Sequence, residues 1–322
     1  MQLLRPSPTE AKVGLRAMRQ LAAARGDVGE ASRNLLMAAQ RQVLHVDLDL
    51  DTLPPIGPDE LAASFHDPAL ARQFVQGMMV VSLADGPTTE AQSRLMASYA
   101  RALGIDEPGL RVLSELAHHH MVLFRLDFLR RSHLADMLRG AVHRDGFIAT
   151  AKSFAAFRGM REDPAVAARY QALGRLPQDT LGYAFWKHCT DNGFPFPGMP
   201  FGFPEAGVYH DFTHVLAGYS TKPEGEMQVG GFMAGYKKHT PIFVILFVML
   251  TFGAGVNVTP LDQPHSTGIL AQPGLADAFF IAVERGSRVP IDLSDGWDHW
   301  AWVEKPLGQA RAELNIAPLA IA

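Results

Sequence analysis

Tyr209-His210-Asp211-Phe212-Thr213-His214-Val215-Leu216-Ala217-Gly218-Tyr219 reads as a short helix stopped by a glycine, with two histidines four residues apart. Side chains at i and i+4 of a helix lie one above the other, so His210 and His214 can offer ring nitrogens to one shared ion. Asp211 lies about 100° around the same helix. From there it can reach the ion as an oxygen ligand, hold a bound water as a catalytic base, or orient a histidine from behind. Pro223 and Gly225 turn the chain again, and Glu226, twelve residues after His214, returns on a following helix. His210, Asp211, His214 and Glu226 make a mixed nitrogen and oxygen donor set for a divalent metal ion. Zinc is the first expectation, and iron, manganese and cobalt suit the same donors. A bare His-x3-His pair is more often simple packing; the two carboxylates, and the Gly and Pro that re-aim the chain between them, favour the metal.

The rest of the chain reads as helices joined by Gly- and Pro-rich turns, an all-α protein. Its 322 residues exceed one usual core and suggest two helical domains, residues 1–130 and 131–322. In the first, Pro8-Thr9-Glu10 opens a helix with Leu15, Met18 and Leu21 on one stripe; Glu30 to Gln42 continues, and Leu53 to Pro58 is a connector. Thr88-Thr89-Glu90 starts another helix with a capping hydroxyl and an acid. A shift of 60 residues lays Gly26 on Gly86, Glu30 on Glu90 and Leu35 on Leu95, a weak internal echo of one helical hairpin by another. His118-His119-His120 cannot grip one ion from a helix, because consecutive residues diverge, and is expected to be a partly exposed cluster. In the second domain, helices are expected from Pro164 and after Leu181, with loops at Asn192 to Pro204 and Gly253 to Gly268. The tail from Trp297 to Leu314 is expected to be an amphipathic helix with Leu307, Ala310 and Leu314 on one face.

Composition narrows the function. With 48% apolar and 19% charged residues the chain folds around real cores. A net charge of -4 argues against a general nucleic-acid binder, and the single Cys189 rules out an intramolecular disulfide, as in a cytoplasmic protein. The opening residues lack the apolar core of a signal peptide. No charge occurs between His239 and Asp262, but Pro241 to Val256 is shorter than the ~20 residues of a membrane span. A buried helix is expected there, with Phe243, Phe247, Met249 and Phe252 serving either as core or as the wall of a hydrophobic cavity for a greasy ligand.

Two resemblances follow from quoted segments. Val81-Ser82-Leu83-Ala84-Asp85-Gly86-Pro87-Thr88-Thr89-Glu90, with Leu103-Gly104-Ile105, resembles the helical tellurite-resistance TerB family. This implies a small helical domain over residues 1–130 in which Asp85 is the residue to watch, although Asp-Gly alone is ordinary turn chemistry. His-Asp-x2-His-x11-Glu at 210–226 resembles the Coq-four family of ubiquinone-biosynthesis proteins. Agreeing with that family are Leu176-Pro177-Gln178-Asp179-Thr180-Leu181-Gly182, then His214-Val215-Leu216-Ala217-Gly218-Tyr219, then Trp297-Asp298-His299-Trp300 with Arg311-Ala312-Glu313-Leu314. The chain departs from it at Tyr219-Ser220-Thr221-Lys222-Pro223, where the family usually has Gly-Thr-Asp, and in the added first domain.

The second resemblance implies a metal held by His210, Asp211, His214 and Glu226, and a cavity for a polyprenyl tail to which Tyr219 is added as a lining residue. It also implies oxidative decarboxylation or hydroxylation of the head-group ring of a polyprenylated quinone precursor, with Asp211 as the catalytic group. Expected partners are that precursor, other quinone-biosynthesis enzymes, the inner face of a membrane touched peripherally, and a second copy of the chain. Two other readings stand beside it: a non-catalytic polyprenyl-lipid scaffold, and a hydrolase of the zincin kind, whose usual Glu would here be the shorter Asp211.

Overall fold

The computed structural model describes residues 2–132, 142–143, 146, 150–153, 155, 157–160, 162–258 and 265–319. It is 63% helical with essentially no strands, an all-α protein. The domain boundary expected at residue 131 adjoins residues 133–141, which lie outside the described residues, as do Asp262 and part of the connector expected from Gly253 to Gly268.

The first half carries α1 (Pro8–Ala23), α2 (Glu30–Ala39), α3 (Pro58–Ala62), α4 (Pro68–Ser82), α5 (Glu90–Ala102), α6 (Pro108–Ala117) and α7 (Met121–Arg131). Local chemistry sets their starts. Ser7 accepts the Glu10 N–H at 3.3 Å while the Glu10 carboxylate accepts the Ser7 N–H at 2.7 Å. Thr89 and Gln92 repeat this reciprocal cap at α5. Each pair satisfies N–H groups that a helix start otherwise leaves orphaned.

The 60-residue echo has a structural counterpart. The α1–α2 and α4–α5 turns both pass through a glycine in the same unusual conformation, Gly26 at φ 133° and Gly86 at φ 135°, and the next helices start at Glu30 and Glu90. The turns pack on each other. Asp85 accepts the backbone N–H groups of Ala31 at 3.0 Å and Ser32 at 3.2 Å, capping α2 from the neighbouring hairpin. Gly29 makes room: a Cβ there would stand 2.2 Å from the Asp85 carboxylate. The Asp-Gly turn is thus also a tertiary cap. His118, His119 and His120 lie exposed where α6 ends, with His120 against Glu115 at 2.8 Å.

The second half carries α8 (Pro164–Ala172), α9 (Leu181–Asn192), α10 (Tyr209–Ala217), α11 (Pro223–Tyr236), α12 (Pro241–Val248), α13 (Leu275–Ser287) and α14 (Leu307–Glu313). The uncharged stretch is the short α12, continued by a wide π-helical turn over Met249–Gly253, and nearly all of it is buried. No helix of the described residues is long and apolar enough to cross a membrane. The tail departs from the expected long helix: only a single turn at His299–Ala301 precedes Pro306, and α14 runs from Leu307 to Glu313. Pro306 cannot donate a backbone hydrogen bond, so the helix begins after it. Ala310 and Leu314 are buried and Leu307 partly so.

Helices α11 and α13 run in close backbone contact. A Cβ on Gly235 would lie 2.4 Å from the Val283 carbonyl oxygen, and one on Gly286 would lie 2.0 Å from that of Phe232. Buried side chains form one cluster from Val13 to Ile316. Polar ties also join the halves, including a paired Arg41–Asp277 contact at 3.0 and 2.6 Å. Between α1, α2 and α4 on one side and α12 and α13 on the other lies an apolar cavity of about 130 Å³, lined among others by Met18, Phe74, Ile242, Ile245 and Phe280.

Candidate metal centre

Three elements bring the donors together. Helix α10 is held to α9 by Phe212, whose ring lies 4.2 Å from that of Phe185 at an interplanar angle of 20°. Gly218, at φ 81°, stops α10 as its sequence suggests. The carbonyls left open at its end are taken by cations: Arg311 donates to Leu216 O at 2.9 Å and Val215 O at 3.0 Å, and Arg285 donates to Ala217 O at 3.2 Å. Pro223 then opens α11. Gly225 lies in its first turn, where a Cβ would stand 1.9 Å from the Ser220 carbonyl oxygen. That close approach folds the α10–α11 connection back and delivers Glu226 to the two histidines.

The carboxylate of Glu226 bridges the imidazoles. Its Oε2 is 3.2 Å from His210 Nε2 and its Oε1 is 3.2 Å from His214 Nε2. One ligand atom from each of His210, His214 and Glu226 falls within 4.8 Å of the others. Asp211 stands behind this group, with Oδ1 3.2 Å from His210 Nδ1. The carbonyl oxygen of Tyr219 stands at the same distance, 3.2 Å, from His214 Nδ1. Of the three roles open to Asp211, the geometry matches the orienting one.

This arrangement could hold a cation. With acceptors at both Nδ1 atoms, each ring keeps its proton on Nδ1 and turns the lone pair of Nε2 towards the carboxylate. Lone pairs facing a carboxylate at 3.2 Å repel unless a proton or metal ion lies between. The two histidine–carboxylate separations suit an ion, since donors about 2.1 Å from a centre are about 3.0 Å apart at a right angle and about 3.4 Å apart at the tetrahedral angle. His214 Nε2 is moreover a buried polar atom that meets the Glu226 carboxylate at 3.2 Å without forming a well-aligned hydrogen bond. Burial opposes the charges, but the mutual attraction of the groups prevails, raising His210 well above the ordinary histidine value and holding Glu226 down at about 2. Access is one-sided: the His214 side chain is 1% exposed, Glu226 23% and His210 33%. A ligand reaches the centre over His210.

The other expected side chains lie elsewhere. Tyr219 is buried, its hydroxyl bonded to Arg285 and its ring 6.2 Å from Phe232. Phe243 and Phe247 face Phe128, at 5.9 and 6.4 Å, while Met249 and Phe252 are buried in the core. It is their helix neighbours Ile242 and Ile245 that line the apolar cavity. One residue near the centre was not singled out in the sequence. His188 on α9 lies 5.5 Å from His214, ring to ring, and burial holds it below the ordinary histidine value. Next to it, the Cys189 thiol is pushed up to about 12 by burial and then by the charge of Asp211, so it remains protonated.

Fold and site together define an all-α protein with a His-His-Glu cluster fit for a divalent ion. No known protein-family model matches the chain, and no curated protein matches it either.

Proposed function

We propose that the chain is a divalent-metal protein of quinone biosynthesis that acts on the head-group ring of a polyprenylated aromatic acid. The observation that carries this reading is the convergence of His210 Nε2, His214 Nε2 and the Glu226 carboxylate, with each Nδ1 held by an acceptor. The choice of substrate rests on the sequence resemblance over residues 150–322. His210, His214 and Glu226 hold the ion, Asp211 and the Tyr219 carbonyl fix the two rings, and the open side at His210 admits the ring of the substrate. A bound ion would supply a Lewis acid that steadies negative charge on substrate oxygen; in the net change the ring carboxylate leaves as carbon dioxide, water gives the new hydroxyl, and dioxygen takes up the two electrons and two protons as hydrogen peroxide. His214 closes the buried side of the site, so substrate has access only from the His210 side.

A non-catalytic lipid scaffold is the second reading, and the apolar cavity favours it, since none of its lining residues belongs to the metal cluster. One experiment separates the two. Metal-loaded protein is incubated in air with a short-chain prenylated hydroxybenzoate, beside the Glu226→Gln variant. Carbon dioxide release and a hydroxylated product, both lost in the variant, support the enzyme. Unchanged substrate, with polyprenyl lipid retained equally by both proteins, supports the scaffold.

A further inference from the structure

Helix α9 turns Leu181, Phe185 and Cys189 into the core, and His188 follows Phe185 by three residues on the same side. The Phe185–Phe212 stack fixes α9 against α10, which brings His188 next to His214. Their rings are 5.5 Å apart with an interplanar angle of 26°, while His210 lies 4.8 Å from His214 on its other flank. His214 is therefore the middle of three imidazoles. A ring bound through Nε2 has its centre about 3.2 Å from the ion, so two rings on one ion are about 4.5 to 5.5 Å apart for angles between 90° and 120°. Both spacings fall in or close to that range.

His188 Nε2 is also buried and without a hydrogen-bond partner. A buried polar nitrogen left unpaired costs on the order of 1–3 kcal/mol, and native proteins seldom tolerate one without a use for it. His188 Nε2 is thus an unsatisfied nitrogen on the ring next to His214, and recruitment to the ion would give it a partner. Asp211, the remaining residue of the 210–226 motif, is spent on His210 Nδ1 and leaves a donor position open.

We propose that His188 is the third imidazole ligand of the centre, so that the ion is held by His188, His210, His214 and Glu226 with Asp211 behind them. The proposal rests on the metal-centre reading above. His188 is not among the residues whose donor atoms already lie within 4.8 Å of one another. Its ring must turn about the side-chain bonds to engage, and with Nε2 unpartnered that rotation breaks no hydrogen bond at this atom.

The test uses the full chain and zinc. X-ray absorption at the zinc edge counts the imidazoles on the ion in the unmodified protein, and competition with a chromophoric chelator gives the affinity of the unmodified protein and of His188→Phe, which keeps a packed ring but offers no nitrogen. Three imidazoles, together with an affinity at least ~10-fold weaker in His188→Phe and partly restored in His188→Asp, are expected, since a ligand is worth at least what supporting residues are. Two imidazoles, or a folded His188→Phe protein that binds zinc as tightly as the unmodified one, would overturn the proposal and leave the three-residue centre standing. An unmodified protein that binds no zinc would sink the metal-centre reading and this proposal together.

Discussion

Replacing Asp85 with alanine removes the carboxylate that closes the first turn of α2 from the neighbouring hairpin. Its oxygens accept from Ala31 N at 3.0 Å and Ser32 N at 3.2 Å, and they also take the Ser32 hydroxyl. Loss of a helix cap costs about 0.5–2 kcal/mol. Here the acceptor is charged and partly buried, and Gly29 leaves no side chain to substitute for it, so about 2–3 kcal/mol is expected. For a chain of this size each kcal/mol lowers the melting temperature by roughly 2–4 °C. Asp85→Ala is therefore expected to melt about 5–10 °C below the parent by circular dichroism, with Asp85→Asn between them. Zinc affinity should stay within about twofold, because Asp85 acts on the first hairpin and touches no donor. A variant that melts with the parent, or one that keeps its melting temperature and loses zinc, would refute the capping account and restore a functional role for this aspartate.

Asp211→Ala should bind zinc about 10–100-fold more weakly while His214→Ala binds essentially none, because Asp211 only orients the His210 ring whereas His214 supplies a donor itself; equal losses in a zinc titration would make Asp211 a direct ligand. Gly225→Ala puts a Cβ where the Ser220 carbonyl oxygen stands 1.9 Å away, displacing Glu226 by one residue's linkage. About 1–3 kcal/mol of stability and roughly tenfold in zinc affinity should be lost, and a variant unchanged in both would refute the close-approach argument. His299, bonded through Nε2 to the Tyr170 hydroxyl at 2.9 Å, is lowered to about 4 by burial against an ordinary value of 6.5. The unfolded chain binds the proton first, so stability falls as pH drops from 6.5 towards 4, by on the order of 3 kcal/mol at the end of that window. In His299→Gln this part of the pH dependence should vanish from urea-denaturation midpoints, and a variant with the parent's slope would assign it to another group.

Helix starts and the pairing of His210 with His214 were legible because their determinants are local. Ser7 with Glu10, and Thr89 ahead of Glu90, announce caps within one turn, and the i and i+4 spacing of His210 and His214 states a shared face outright. Glycines gave more than expected, since the Gly26 and Gly86 echo marks two turns of equal conformation. Tertiary chemistry was harder to see. Asp85 reads as a turn residue until the partner hairpin is in place, and nothing near Asp211 tells its orienting role from ligation before His210 has a rotamer. His188 stands 22 residues before His210 on another helix. Its one visible mark is a polar ring beside the Leu181, Phe185 and Cys189 face. The tail was overextended because an apolar spacing was read across Pro306, where backbone chemistry decides against helix.

Elemental analysis with native mass spectrometry, on protein purified without chelator and then offered excess zinc, measures the occupancy of the centre itself. One divalent ion per folded chain is predicted, absent from His210→Ala/Glu226→Ala at unchanged helix content. A well-folded parent that stays free of metal under those conditions would contradict the account.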